Sequence, residues 1–214
     1  MMPVRQTVKF DKKLLDKDAV KVVQTLIKSG YDAYLVGGCI RDLLLGYEPK
    51  DFDIATNATP EQVHKTFKRS RIIGRRFRLV HIMFSAKKFI EVATFRAGKV
   101  KTSNNGVVVR DNFYGSLKDD VFRRDFTVNA LYYDLVNSQV IDYVGGLGDL
   151  KAAEIKMIGN PKERFEEDPV RMIRAVRFKV KLSAILEPEL SQDISSNAHL
   201  LANIPPARLY EEVI

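Results

Sequence analysis

Apolar positions recur at helical spacing through residues 16–29, where Ala19, Val22, Val23, Leu26 and Ile27 alternate with lysines and Gly30 closes the run. The spacing predicts a helix. Ala33-Tyr34-Leu35-Val36 is a short apolar run that predicts a strand entering Gly37-Gly38, after which residues 40–45 read as helix up to Gly46. Residues 52–55 predict the next strand, and Thr59-Pro60-Glu61 places a cap and a proline at a helix start. Residues 78–84 and 89–95 read as paired strands joined through Ser85-Ala86-Lys87-Lys88. Periodicity fails over residues 96–119, a polar stretch punctuated by Gly98, Gly106 and Gly115 and long for a loop. Residues 131–135 and 140–143 predict a hairpin around Asn137-Ser138, ending in Gly145-Gly146. After about residue 150 helical signals dominate, with 168–181 and 187–201 as the clearest segments, so a domain boundary is expected there: 1–150, then 151–214.

Composition narrows the class. The 214 residues suffice for one large domain or two small ones, and 45% hydrophobic with 29% charged residues is ordinary for a globular chain. Lys+Arg 35 against Asp+Glu 27 leaves a net charge of +8, which favours a polyanionic partner. The lone Cys39 has no intramolecular disulfide partner, and one Cys with three His is too few for a Cys/His zinc site. A reducing, cytoplasmic setting is the expectation. The charged N-terminus lacks an apolar signal core, and no apolar run of about 18 residues occurs, so neither secretion nor a membrane span is expected.

Candidate chemistry begins at Asp51-Phe52-Asp53. On an extended segment, residues i and i+2 project from one face, so both carboxylates converge on one region. A divalent cation with hard oxygen ligands suits that position, and two such ions support phosphoryl transfer. A solvated strand end reads the same way. Upstream, Gly37-Gly38-Cys39-Ile40-Arg41-Asp42 joins a strand to a helix: glycines allow close backbone approach, N–H groups at the helix start attract phosphate, and Arg41 adds a cation. Neither the Rossmann nor the P-loop spacing is present. A tight turn with an ordinary Arg41-Asp42 surface pair is the alternative.

The segment Leu35-Val36-Gly37-Gly38-x-x-Arg41-Asp42 followed by Asp51-Phe52-Asp53-Ile54-Ala55-Thr56 resembles the head of the polymerase-β-like nucleotidyltransferase superfamily, specifically the bacterial poly(A) polymerase and class II CCA-adding enzyme family. Two further segments agree. Arg123-Arg124-Asp125-Phe126-Thr127-Val128-Asn129-Ala130 looks like the family's ribose and triphosphate motif, and Glu167-Asp168-Pro169-Val170-Arg171 like its base-reading motif. The resemblance runs over residues 30–212. It implies an α+β fold, with a mixed or antiparallel sheet flanked by helices in a nucleotidyltransferase head over 1–150. An all-helical, nucleobase- and RNA-binding neck follows over 151–214.

The same resemblance implies that Asp51 and Asp53 hold Mg²⁺ as two ions, with Mn²⁺ as a substitute, and that Glu91 is the third catalytic carboxylate. It assigns Gly37, Gly38 and Arg41 to the nucleotide, Arg124 and Asp125 to the ribose, and Asn129 to the triphosphate region. Asp168 and Arg171 meet the base, while Arg174 and Arg177 approach the phosphates. In physical terms, an Arg donor beside an Asp acceptor matches the Watson–Crick edges of adenine and cytosine and leaves guanine and uracil with unpaired polar groups. The steps of three from Asp168 to Arg177 keep successive members on one helical face, a pattern that a solvated basic face also gives.

Ile72-Ile73-Gly74-Arg75-Arg76-Phe77-Arg78-Leu79-Val80-His81-Ile82 resembles the block that separates poly(A) polymerases from their CCA-adding relatives. Residues 65–78 carry no acidic side chain, so Arg75, Arg76 and Arg78 are RNA-phosphate candidates, with a solvated helix and loop as the alternative. His64, His81 and His199 are scattered and read as structural, and Cys39 as a small buried side chain. The expected activity is template-independent transfer of AMP from ATP to an RNA 3′-OH with release of pyrophosphate. CCA- or A-addition to tRNA is the nearest alternative, and a non-catalytic RNA-binding module the next. Pro206 opens a helix with no stop signal before Ile214, and the resemblance implies that further helical regions follow, so the chain reads as head and neck cut short.

Overall fold

A computed structural model of the chain describes residues 2–74, 78–97, 101–102, 108–110 and 114–213. They fold as two compact units, the first comprising residues up to 123 with 131–143, the second 124–130 with 144 onward.

The first unit is built on one sheet. Its strands are β1 (Val4–Thr7), β2 (Ala33–Val36), β3 (Asp53–Thr56), β4 (Ser70–Ile73), β5 (Leu79–Met83), β6 (Phe89–Thr94), β9 (Tyr132–Asp134) and β10 (Gln139–Asp142), in the order β1-β10-β9-β2-β3-β6-β5-β4. Every neighbouring pair is antiparallel except β3·β6, which is parallel. A separate two-strand pair, β7 (Lys101–Thr102) with β8 (Val108–Arg110), lies within the stretch whose periodicity fails.

Helices α1 (Lys17–Lys28), α2 (Gly38–Leu44), α3 (Pro60–Thr66) and α4 (Leu117–Arg123) complete this unit. Helix α1 forms where the pattern places it. Asp16 caps it by accepting from the N–H groups of Asp18 and Ala19, and Ala19, Val22, Val23 and Leu26 are buried along one stripe. Thr59 and Gln62 form a reciprocal capping box at the start of α3, with Pro60 in its first turn. In β5 and β6 the alternation is strict: Val80, Ile82, Ile90 and Val92 are buried, whereas His81 and Glu91 lie on the opposite, more open face.

The second unit contains α5 (Gly146–Lys151), α6 (Pro161–Glu167), α7 (Val170–Lys181), α8 (Pro188–Asn197) and α9 (Pro206–Val213). It is mainly helical rather than all-helical, because β11 (Glu154–Ile155) and β12 (Ile185–Leu186) pair in parallel. Two-residue strands carry too little alternation to stand out in a sequence. The core of this unit gathers Phe126, Val128, Ile155, Met157, Phe165, Met172, Ala175, Phe178 and Leu190. No helix among the described residues is long and apolar enough to cross a membrane.

Candidate active site

In the first unit the carboxylates assemble on the parallel strand pair. Phe52 is buried while Asp51 and Asp53 on either side are exposed, so the two acids emerge together, as i and i+2 positions must. Asp53 and Glu91 are Cα register partners across β3·β6. All three acids line one cleft of about 600 Å³, along with Asp16, Lys50, Lys87 and Lys88. Glu91 has a further partner that the sequence did not reveal: His81, opposite it on β5, places Nε2 3.2 Å from Glu91 Oε2 and stacks its ring on Phe89 with centroids 4.0 Å apart. The strand alternation contained that signal, because a histidine and a glutamate on one face of adjacent strands become neighbours once the register is known.

Among the described residues, no group of three or more His, Cys, Asp or Glu side chains converges as a complete metal-holding set. The donor set at Asp51 and Asp53 nevertheless fits a small hard cation. Mg²⁺ is bound through one or two carboxylates plus substrate phosphates rather than by an all-protein cage. Two carboxylates facing an open cleft offer that arrangement.

The glycine turn lies on the same sheet. Gly37 has φ +80° and ψ −133°, a backbone conformation that favours glycine, and donates its N–H to Leu131 O at 3.1 Å. Gly38 is different: a Cβ there would stand 3.5 Å from the Arg41 guanidinium, an ordinary contact. Arg41 itself is 2% exposed and pairs with Asp42, Nη2 to Oδ1 at 2.6 Å and Nε to Oδ1 at 2.8 Å. It is therefore neither an ordinary surface residue nor an open cation. Cys39 is buried, and burial together with the nearby Asp53 charge pushes its thiol up to about 12.

The remaining nucleotide candidates sit in the second unit, most of them in ion pairs. Asp125 Oδ1 accepts from the Phe126 N–H at 2.8 Å, and its Oδ2 accepts from Arg174 Nε at 2.7 Å. Arg174 Nη1 also donates to Glu212 Oε1 at 2.9 Å, and Arg177 Nη2 lies 3.0 Å from Glu212 Oε2. Burial acts to lower the pKa of Arg174, but Asp125 and Glu212 outweigh it and hold the guanidinium above its ordinary value. The two guanidinium carbons stand 5.6 and 5.1 Å from the Phe178 ring centroid. Asp168 accepts from the Val170 N–H at 3.3 Å and from Arg208 Nη2 at 2.6 Å, while Arg171 Nη1 bonds Arg164 O at 2.7 Å and Glu167 Oε2 at 2.8 Å. Arg124 Nη1 reaches Asn129 O at 3.5 Å, and Asn129 is buried in a 3₁₀ turn over Thr127–Asn129.

These guanidiniums are paired rather than open, because partly buried charges are retained when they have counter-charges. The sequence reading missed the partners Glu212, Arg208 and Glu167. Arg208 and Glu212 stand four apart on α9, a spacing that puts both on one helical face, so the signal was present. Of the RNA candidates, Arg75 and Arg76 lie outside the described residues, and Arg78 bonds Glu61. Part of the basic run is edge strand: β4 pairs with β5, placing Arg71 opposite His81.

Residues 33–156 match the Poly A polymerase head domain, and residues 185–214 match the family described as the probable RNA and SrmB- binding site of polymerase A. The chain is 53% identical to poly(A) polymerase I of Escherichia coli O6:H1 over 95% of its own length and 45% of that protein's. It is 40% identical to the CCA-adding enzyme of Bacillus pumilus over 89% of its length and 47% of that protein's. Among solved structures, the Bacillus stearothermophilus CCA-adding enzyme in complex with CTP superposes with a TM-score of 0.79 at 39% identity, covering 92% of this chain and 47% of that one. The chain thus spans about half the length of the curated relatives it matches.

Proposed function

The chain belongs to the poly(A) polymerase head-domain family, and from that premise we propose that it adds AMP from ATP to an RNA 3′-OH without a template, releasing pyrophosphate. The observation that carries this reading is the juxtaposition of Asp51, Asp53 and Glu91 in one open cleft, on strands whose register makes Asp53 and Glu91 neighbours. Asp51 and Asp53 are the residues to hold divalent metal, Mg²⁺ as two ions with Mn²⁺ as a substitute. When bound, the metal lowers the pKa of a coordinated hydroxyl and neutralises charge on a departing phosphate.

The chain's own groups supply the rest. Gly37 presents its turn to the triphosphate, and the Arg41 guanidinium, paired with Asp42, lies beside Gly38 at the start of α2. Arg124 and Asp125 serve the ribose, Asn129 the triphosphate region, and Asp168 with Arg171 the Watson–Crick edge of the base. Arg174 bonds and Arg177 pairs with the single carboxylate of Glu212, and a triphosphate would offer both guanidiniums more oxygens. The lone buried Cys39 supports a reducing, cytoplasmic setting.

A second reading, CCA- or A-addition to tRNA, is favoured by the 39% identity to a CTP-bound CCA-adding enzyme. Labelled ATP or CTP, supplied separately with a generic RNA and with tRNA lacking its end, decides between them. Polyadenylation gives long A tails from ATP on either RNA. Addition that stops after a few residues, on tRNA alone, overturns it.

A further inference from the structure

We infer that Lys50 and Lys87 form a phosphate-binding subsite for the RNA strand being extended, beside the Asp51/Asp53 pair; the inference rests on the activity proposed above. Four observations carry it. The first is position. Lys50, Lys87 and Lys88 line the same cleft as Asp51, Asp53 and Glu91. Lys50 lies three residues before Asp53, and Lys87 four before Glu91. Because β3 and β6 run parallel with those two acids in register, both lead-in segments approach from the same end of the pair. Lys50 directly precedes Asp51, and Lys87 sits in the turn between β5 and β6, so both lysines stand at the lead-in end of the acid pair.

The second observation is what these ammonium groups are bonded to. Lys88 is committed to structure: its Nζ bonds Asp16 Oδ2 at 2.7 Å and Asp18 Oδ2 at 2.6 Å, tying the β5–β6 turn to the start of α1. The Lys50 and Lys87 side chains are exposed and make no ion pair or hydrogen bond among the described residues. Both line the cleft that holds Asp51, Asp53 and Glu91.

The third is chemistry. An ammonium is a point charge with rotatable donors, suited to a phosphodiester that presents no fixed fork, whereas the arginines of the second unit suit planar, bidentate groups. A strand that brings its 3′-hydroxyl to Asp51 and Asp53 carries its last phosphodiesters behind that hydroxyl. Cations lining the lead-in end of that cleft are placed to receive them. The fourth is charge: divalent metal at the two aspartates would turn the cleft electropositive, drawing an anionic strand toward both lysines.

The test is a primer-extension assay on the chain with oligo(A) and ATP, comparing the double variant Lys50→Gln/Lys87→Gln, the Lys87→Gln single variant, the double arginine variant and a remote control, Lys28→Gln. The double Gln variant is expected to raise KM for RNA about tenfold with KM for ATP within twofold, and arginine is expected to restore most of the loss. Oligo(A) affinity, measured by anisotropy without ATP, should lose about 1.4 from its log–log salt slope, at about 0.7 per single-strand phosphate contact. A rise in KM for ATP with KM for RNA unchanged assigns the lysines to the triphosphate and overturns the inference. So does an unaltered salt slope, or an equal loss in Lys28→Gln. If the unaltered chain transfers no AMP, the proposed activity fails, while the salt slope still decides for or against the lysines.

Discussion

Asp53 and Glu91 are register partners across the one parallel strand pair of the sheet, and Glu91 in turn is 3.2 Å from His81 on the next strand. A row of ionisable groups thus crosses three strands on the open face, with Asp53 at the end nearest Asp51. Unequal sensitivity to mutation follows. Asp53→Asn should lower AMP transfer at least about 10²- to 10³-fold, while Glu91→Gln and His81→Ala lower it about tenfold. Because Asp53 is exposed, the thermal midpoint of Asp53→Asn should stay near that of the parent. Activity of Asp53→Asn close to the parent's, with the fold intact, would refute the assignment.

Glu212 links two arginines that the sequence pattern left open. Replacing it by Ala leaves Arg177 without that partner and Arg174 with Asp125 alone. The expected stability loss is about 1.5–3 kcal/mol, the range for hydrogen bonds to charged groups. Chemical denaturation of the chain and its Glu212→Ala variant measures it, and KM for ATP should change in the same variant. A difference below about 0.5 kcal/mol with KM unchanged would show the helix α9 contact to be incidental.

Cys39 should be inert while the chain is folded. Burial, with the Asp53 charge beside it, pushes its thiol to about 12, so almost no thiolate forms near pH 8. Iodoacetamide at pH 8 should leave the native chain unmodified and label it rapidly in denaturant; equal rates in both would contradict this. The sign for stability follows from a folded pKa above the unfolded one. The contribution is full below about pH 8.5 and is lost as pH rises towards 12.

Asp16 combines a helix cap with a partner for Lys88, and the bonds it accepts from Lys88, Ala19 and Asp18 outweigh its desolvation and hold its carboxyl below the usual value. Asp16→Ala should destabilise the chain by about 1 kcal/mol, the usual value of such a cap. Asp16→Asn keeps the cap and loses the charge. Since the folded pKa is depressed, the charge stabilises above the unfolded carboxyl pKa near 4 and its contribution disappears as pH falls through the lower folded value. The melting gap between parent and Asp16→Asn should therefore be present at pH 7 and close below pH 4. A gap that is constant with pH would exclude the ionic contribution.

Local order was the most legible part of the sequence. The stripe from Ala19 to Leu26, the strand Ala33–Val36 and the cap at Thr59 each rest on neighbours a few residues apart, and each appears where the pattern placed it. The Asp-Phe-Asp alternation likewise foretold which side chains emerge together. What escaped detection depends on register and long-range pairing. The edge strand β1 is exposed at all four positions and has no apolar face to betray it; it pairs with β10. His81 beside Glu91, Lys88 beside Asp16, and Glu212 between two arginines are each set by tertiary pairing, at separations of 10, 72, and 35 and 38 residues, so their meanings depend on the fold.

The chain passes from the first unit to the second at residue 124, returns at 131 and leaves again after 143. The seven-residue excursion is not decorative: it delivers Phe126 and Val128 to the second core, Phe126 packing edge-on against Phe178 at 5.6 Å, and brings Asp125 to Arg174. Neither unit is consequently a contiguous cassette. A gene fragment that begins after residue 143 encodes the helices but omits two residues of their core and one carboxylate of their ion-pair cluster, so shuffling the two units between relatives requires exchanging an interior peptide as well as a tail.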